Sequence, residues 1–413
     1  MECLPKGMTI KECVPWFRMF TDTDMKVLHI ANSYGSTQVY MNLVNVIDSL
    51  GFEQTIVVPL NKKSKGQINA NMPSFKNPKS KIIYLPFLKR RHKLFYREKI
   101  STVLELIKDR VSLNTIDIIH AGTSFFDGAV AYEIHKLYDI PYIAAVRSTD
   151  KMYLQVFLFY RNYFKSILQE AGRVIFINSN MKEYILSVFN FKKEQLKKFE
   201  VIPNGISNIF LENIVRRTNS IQTPIRLLYS SAFIKRKCLK ETIEASAILV
   251  KKGYNIRLDA YGIGLPNKGE KEEYVNKIKF YADKYDWFNI HSYVSLEKNM
   301  ELMRKADILV MPSHGETFGL VYPEALSQGI PVLYGKNEGF DGVFKDGCVG
   351  YAAKPYDLND ISNGIENIIK NYDKIISNIL NIDFIKQFSW SNIAKQYIDI
   401  YIACTIDYQS KTV

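Results

Sequence analysis

No apolar run in this chain approaches the roughly 20 residues that a helix needs to cross a bilayer, so a membrane-spanning protein is not expected. Cysteine is scarce: Cys3, Cys13, Cys238, Cys348 and Cys404 are odd in number, scattered and without a CxxC pair. That pattern argues against structural zinc and for a reducing compartment. The opening MECLPKGMTIKECVPWFRMF is interrupted by charges and prolines and lacks the apolar core of a signal peptide. Internal repeats, low-complexity tracts and nucleic-acid motifs are missing as well. The one acidic pair of metal-site appearance, Asp22-Thr23-Asp24, precedes any strand–helix unit and reads as a solvated turn. No metal, no other cofactor and no nucleic-acid partner are therefore expected, and the cytoplasm is the expected location.

What is present is a globular composition, 47% hydrophobic and 23% charged over 413 residues, a length that suits two domains. Charge is uneven. Residues 1–207 hold 29 Lys+Arg against 18 Asp+Glu, whereas residues 208–413 hold 26 against 24. The densest stretch, FLKRRHKLFYREK (Phe87–Lys99), alternates cations with aromatics. It reads either as a solvated basic surface or as a face for an anionic membrane. In the second case Arg90, Arg91, Lys93 and Arg97 meet headgroups while Phe87, Leu94, Phe95 and Tyr96 dip inward.

Strands and helices alternate almost throughout. KVLHIA leads to a helix from about Gln38 to Leu50, then QTIVVP, KIIYLP, IDIIHA, PYIAAVR, RVIFINS and FEVIP follow. The pattern restarts with IRLLYSS, NIRLDAYG, FNIHSYV, ADILVMP and IPVLY. This is the signature of two parallel, doubly wound sheets with a ligand cleft at their strand ends. The polar stretch Asn204–Pro224 is the expected linker. The expected divisions are an N-terminal extension over 1–24, a first Rossmann-like domain over 25–207, a second over 208–390 and a closing helix over 391–413.

Between ADILVMP and IPVLY runs HGETFGLVYPEALSQG, His314–Gly329, with Glu316 and Glu324 eight positions apart. The flanks predict strand, loop, helix and strand, with the helix opening near Gly319 and ending at Gly329. Glu316 then sits in the loop and Glu324 a turn into the helix. The amides of Phe318, Gly319 and Leu320 point beyond the strand end, a site for a phosphate-bearing ligand.

PSHGETFGLVYPEALSQGIPV resembles the E-x7-E region of the family-4 glycosyltransferases, retaining enzymes of the GT-B fold. IPNGI (Ile202–Ile206) is similar to that family's passage between domains. YGIG (Tyr261–Gly264) resembles its glycine turn, and FSWSNIAKQYIDIY its closing helix. DIIHAGTSFFDG, IPYIAAVRSTD and GFDGVF resemble a bacterial surface-polysaccharide subset. The resemblance implies two Rossmann-like domains facing across a cleft, with the C-terminal helix crossing back to the first. It implies a donor site in the second domain, where Glu324 would bind ribose hydroxyls and Glu316 hydroxyls of the donor sugar. Lys237 occupies the place of the family's phosphate lysine, and Gly262 that of the glycine turn. The family's arginine place holds Ala232 and the glycine after the lysine is Cys238, so Arg236 or Lys235 would have to reach the diphosphate. In the first domain relatives carry His-x-His where this chain has His120 and Gly122. His120 is thus a candidate for the transfer site or a strand-end histidine bonded to backbone. Gly35, Asp127, Arg147 and Asp150 are acceptor-side candidates; for the charged three the alternative is a helix cap and a local ion pair.

These readings together predict a metal-independent, retaining hexosyltransferase. Its donor would be a nucleotide-diphosphate sugar, UDP-linked, and its acceptor a glycan or lipid-linked oligosaccharide of bacterial capsule, O-antigen or exopolysaccharide synthesis. Such a protein would sit peripherally on the inner face of the plasma membrane. Two alternatives fit the same residues: a non-catalytic GT-B partner that binds nucleotide or glycan, and a GT-B sugar-nucleotide epimerase.

Overall fold

The computed structural model describes residues 25–32, 34, 38–60, 75–86, 88, 91, 95–218, 220–263 and 271–412. They form two compact units. Gly205–Ser389 is one; the residues before it, through Asn204, join the C-terminal segment from Trp390 in the other.

In the first unit seven strands run parallel: β1 (Lys26–Ile30), β2 (Glu53–Pro59), β3 (Lys81–Leu85), β4 (Ile118–Ala121), β5 (Tyr142–Val146), β6 (Arg173–Phe176) and β7 (Phe199–Val201). Their order across the sheet is β3-β2-β1-β4-β5-β6-β7. Side chains alternate between faces along each strand, and both faces are covered. Leu28, Ile119, Ala144 and Val174 pack on one side with the helices α2 (Tyr96–Lys108), α3 (Asp127–Tyr138) and α5 (Arg161–Glu170). Their strand neighbours Val27, Ile118, Ile143 and Ile175 pack on the other with Ile393, Tyr397 and Tyr401 of the C-terminal helix Trp390–Thr412. Helices α1 (Gln38–Ser49) and α4 (Ser148–Val156) belong to the same unit, with further helices over Ser179–Val188 and Lys193–Leu196. Burial on both faces is why these strands read as near-continuous β-branched runs.

The second unit has six parallel strands: β8 (Ile225–Ser230), β9 (Ile256–Ile263), β10 (Phe288–Ser292), β11 (Ile308–Met311), β12 (Val332–Gly335) and β13 (Gly350–Ala353). Their order is β10-β9-β8-β11-β12-β13. The last strand, GYAA, was not foreseen. The expected linker is docked within this unit: Val215 N–H donates to the Ser327 carbonyl at 2.9 Å, and Arg217 donates to the Ala306 and Arg304 carbonyls.

In each sheet the strand order reverses at one place, between β1 and β4 and between β8 and β11. Chains leave these neighbours in opposite directions, so a crevice opens beyond their carboxyl ends.

Candidate active site

The β8–β11 crevice is lined by two loops. Past β8 the chain runs through Ser231–Ile234 into one 3-10 turn, Lys235–Lys237, and leaves through Cys238 at φ +56°. A left-handed residue there explains the family's glycine: a side chain at this φ costs roughly 1–2 kcal/mol. Burial pushes the Cys238 thiol up to about 12. Gly262, at the end of β9, has φ +149°, and a Cβ there would lie 1.9 Å from the Ser231 carbonyl. Only glycine lets the two strand ends approach so closely.

Past β11, the loop Ser313–Leu320 turns into the helix Val321–Ser327. The helix opens two residues later than Gly319, because Gly319 sits at φ +81° with its missing Cβ 2.2 Å from the Tyr322 ring. Glu324 still lies in the first turn. Phe318 is part of the core, its ring against Phe340 and Phe388, so it offers the crevice only its backbone. Among the described residues the amides of Phe318, Gly319 and Leu320 donate to no carbonyl or side chain.

The two loops are joined by charge. Lys237 and Glu316 form an ion pair, with side chains 12% and 14% exposed. Glu316 Oε1 also accepts the Thr317 amide at 3.2 Å, and the Glu316 amide donates to Glu338 Oε2 at 2.9 Å. Glu338 Oε1 lies 3.0 Å from His314 Nδ1, and the His314 amide donates to the Arg236 carbonyl at 2.7 Å. The Arg236 side chain itself is exposed and carries no ion pair among the described residues. Ala232, in the family's arginine place, is a buried methyl group. Glu324 is 9% exposed and its carboxyl meets no donor among the described residues. Burial alone pushes it up to about 7. A buried acceptor without donors is costly, and vicinal hydroxyls would satisfy it.

At the β1–β4 crevice the structure sorts the remaining candidates. Asp127 begins α3 and joins both strand ends: it accepts the Asn32 amide at 3.2 Å and the Thr123 hydroxyl at 2.9 Å. Burial pushes it up to about 7, against the pull of those two donors and Lys99. Arg147 stays half-buried, with Nη1 3.3 Å from Asn204 Oδ1. Asp150 is fully buried and occupied, accepting the Phe125 and Arg147 amides at 2.6 Å each. It sits in the first turn of α4 and holds the amide of the N-cap residue Arg147, the capping role weighed as its alternative. His120 is enclosed. It is 0% exposed, with Nδ1 2.7 Å from the Tyr401 hydroxyl and its ring stacked on Tyr397. Burial, then the neighbouring His29 and Arg147, hold it well below the usual histidine range. Its Nε2 is buried and meets no hydrogen-bond partner among the described residues. Gly122 follows from the same packing, since a Cβ there would lie 3.1 Å from the Tyr40 ring. Gly35 lies outside the described residues.

The pattern described as "Glycosyl transferases group 1" matches residues 212–380, and that described as "Glycosyltransferase Family 4" matches residues 34–208. The chain is a GT-B glycosyltransferase of the family-4 type. Among curated relatives, an uncharacterized glycosyltransferase of Methanocaldococcus jannaschii is 23% identical over 315 residues, 70% of this chain and 76% of its own length. The poly(glycerol-phosphate) alpha-glucosyltransferase of Bacillus subtilis is 24% identical over 250 residues, 56% of this chain and 34% of its own. Among solved structures, Anabaena HepE in complex with UDP and glucose superposes with TM-score 0.62 at 15% identity, covering 91% of this chain and 98% of that one. Sucrose-phosphate synthase from Thermosynechococcus elongatus gives TM-score 0.67 at 18% identity, covering 92% and 98%.

The glycosyltransferase's Glu338 escaped the sequence reading. Its signal was an acid three residues past β12, the strand that pairs with β11. The membrane stretch is corrected in part. Phe87, Lys89, Arg90, His92, Lys93 and Leu94 lie outside the described residues, but Tyr96 is buried with its hydroxyl on the Phe125 carbonyl. Arg97 covers the Tyr163 ring at 3.7 Å and Lys99 the Phe126 ring at 3.3 Å. Cys348 is disulfide-bonded whereas Cys238 and Cys404 are buried thiols, so cysteine scatter does not by itself mark a reducing compartment. Among the described residues no helix is long and apolar enough to cross a membrane, and no three His, Cys, Asp or Glu side chains gather to hold a metal ion.

Proposed function

We propose that this glycosyltransferase moves a sugar from a UDP-sugar to a glycan or lipid-linked acceptor of a bacterial surface polysaccharide, with retention and without a metal. The observation that carries the donor assignment is the Lys237–Glu316 pair at the β8–β11 crevice, with the Glu324 carboxyl meeting no donor among the described residues. Loss of a nucleoside diphosphate leaves negative charge on the departing oxygen. Lys237, Arg236 and the amides of Phe318–Leu320 are the positive groups available to stabilise it, in place of a cation. Glu316, held by Lys237 and the Thr317 amide, keeps lone pairs for hydroxyls of the donor sugar, and Glu324 accepts from the ribose. With no nucleophile identified among the described residues, the reading favours front-face displacement in which the leaving phosphate oxygen takes the acceptor's proton. The UDP assignment is by analogy with HepE, whose structure contains UDP and glucose. The surface-polysaccharide role rests on the resemblance of DIIHAGTSFFDG and GFDGVF.

The buried methyl of Ala232 supports a second reading, a GT-B protein that binds nucleotide without turnover. Thermal shift against a panel of sugar nucleotides identifies the donor. Acceptor-dependent release of nucleoside diphosphate, measured with excess chelator, then separates the readings. Binding with no release on any acceptor selects the second, and full loss of release in chelator, restored by manganese, overturns metal independence.

A further inference from the structure

The segment between β5 and β6 is unusual for a protein surface. Helix α4 buries only Asp150 and Leu154, and the 3-10 turn that follows, Leu158–Tyr160, buries none of its residues. Inward, the aromatics are well packed: Phe125 stacks on Tyr153 and Phe157, and Tyr96 lies 4.5 Å from Tyr160. Their neighbours face outward. Phe159 is 100% exposed, and Met152, Val156, Leu158 and Phe95 are each exposed by half or more. Five large apolar side chains in one small area exceed the scatter of single apolar residues found on ordinary surfaces.

The charge around them has one sign. Residues 151–169 contain Lys151, Arg161 and Lys165 and no acid. These cations are held in place: Lys151 over the Tyr184 ring at 4.9 Å, Arg161 by its Nε on the Leu154 carbonyl at 3.1 Å, Lys165 near the Phe191 ring. Asp150 contributes no surface charge because it is enclosed. The acids nearest on α2 and α3, Glu98 and Glu133, already face Arg91, Arg97 and Lys136.

We infer that Met152–Arg161, with Phe95, is a docking surface for a bilayer rich in anionic lipid. A turn that projects apolar tips, flanked by anchored cations, matches the headgroup–acyl boundary, where aromatic and aliphatic side chains insert and Lys and Arg meet phosphate. A protein partner is less well matched, because Phe159 stands fully exposed and the charge within residues 151–169 is all basic. This surface takes Phe95 from the stretch Phe87–Lys99, whose described cations Arg91, Arg97 and Lys99 face Glu98, Glu133 and the Phe126 ring. It is independent of the donor assignment, since all its residues belong to the other unit.

The test uses the full chain and sedimentation with vesicles of phosphatidylcholine alone or with one quarter phosphatidylglycerol. The wild type should bind the anionic vesicles and release them as salt rises. Leu158→Ser/Phe159→Ser should weaken binding at least about tenfold, and Lys151→Gln/Lys165→Gln should remove the preference for anionic lipid. Both double variants should keep wild-type melting and nucleotide binding, which also separates this inference from the donor reading. Equal or absent binding of the wild type to the two vesicle types overturns it, as does unchanged binding by the Leu158/Phe159 variant. So does a wild-type dimer that this variant turns into monomer with vesicle binding unaltered, which assigns the patch to self-association.

Discussion

Lys237 and Glu316, 79 positions apart, meet as an ion pair between the loops that follow β8 and β11. Each is the other's main partner, so the pair fixes both loops at the crevice and leaves a cation and a carboxylate at its floor. Lys237→Ala should therefore weaken nucleoside-diphosphate binding about 10- to 100-fold, the loss of one or two charge-assisted contacts. Calorimetric titration of Lys237→Ala, Glu316→Gln and the double variant would show non-additive losses if the pair acts as a unit. Wild-type affinity in Lys237→Ala would remove the lysine from the donor site.

Glu324 makes a prediction of opposite sign for stability and binding. Its carboxyl is raised from 4.5 to about 7 by burial, so folding favours the protonated form. The penalty is absent below about pH 4.5, grows as pH rises, and is complete above about 7. Glu324→Gln should thus match the wild type near pH 4.5 and exceed it by on the order of 2 kcal/mol at pH 8. The same variant should bind nucleoside diphosphate roughly tenfold more weakly. Denaturant unfolding at the two pH values, with titration at pH 8, checks both. A variant less stable than the wild type at pH 8 would contradict the assignment.

At Gly319, φ +81° and the approach of Tyr322 leave no room for a methyl group. Gly319→Ala should cost about 1–3 kcal/mol and lower nucleotide affinity, because the strain falls on the amides beside it. Tm and thermal shift with UDP read the two effects. Ala tolerated without loss of either would show that the turn is free to rearrange.

The buried histidines should make the first unit sensitive to acid. His29 is lowered from 6.5 to about 3 by burial, with Nδ1 3.1 Å from the Tyr40 hydroxyl. A depressed histidine stabilises the fold fully above pH 6.5, and that contribution is lost as pH falls towards 3, by about 1.4 kcal/mol per unit. The nearby Asp127, raised to about 7, moves the other way, so the comparison is between wild type and His29→Asn. The variant should be less stable at pH 7 and fall less steeply between pH 6 and 4 in urea titrations. Parallel slopes would place the acid response elsewhere.

Much of this architecture was legible in the chain. Twelve strands stand out as short β-branched runs because both faces of a parallel sheet are buried, and the E-x7-E stretch carries its own strand, turn and helix. GYAA stayed hidden, being four residues of weak strand preference that become β13 only by pairing with β12. The packing partners were not legible either. That His120 meets Tyr397 and Tyr401 of the C-terminal helix cannot be read from its own strand. Lys99 looks like a surface cation until Phe126 comes beneath it, and the exposure of Met152, Val156, Leu158 and Phe159 has no sign in the sequence. Local periodicity determines which residues share a face, through the geometry of strand and helix. Which element covers that face is decided by contacts hundreds of positions apart, and that only the tertiary structure could supply.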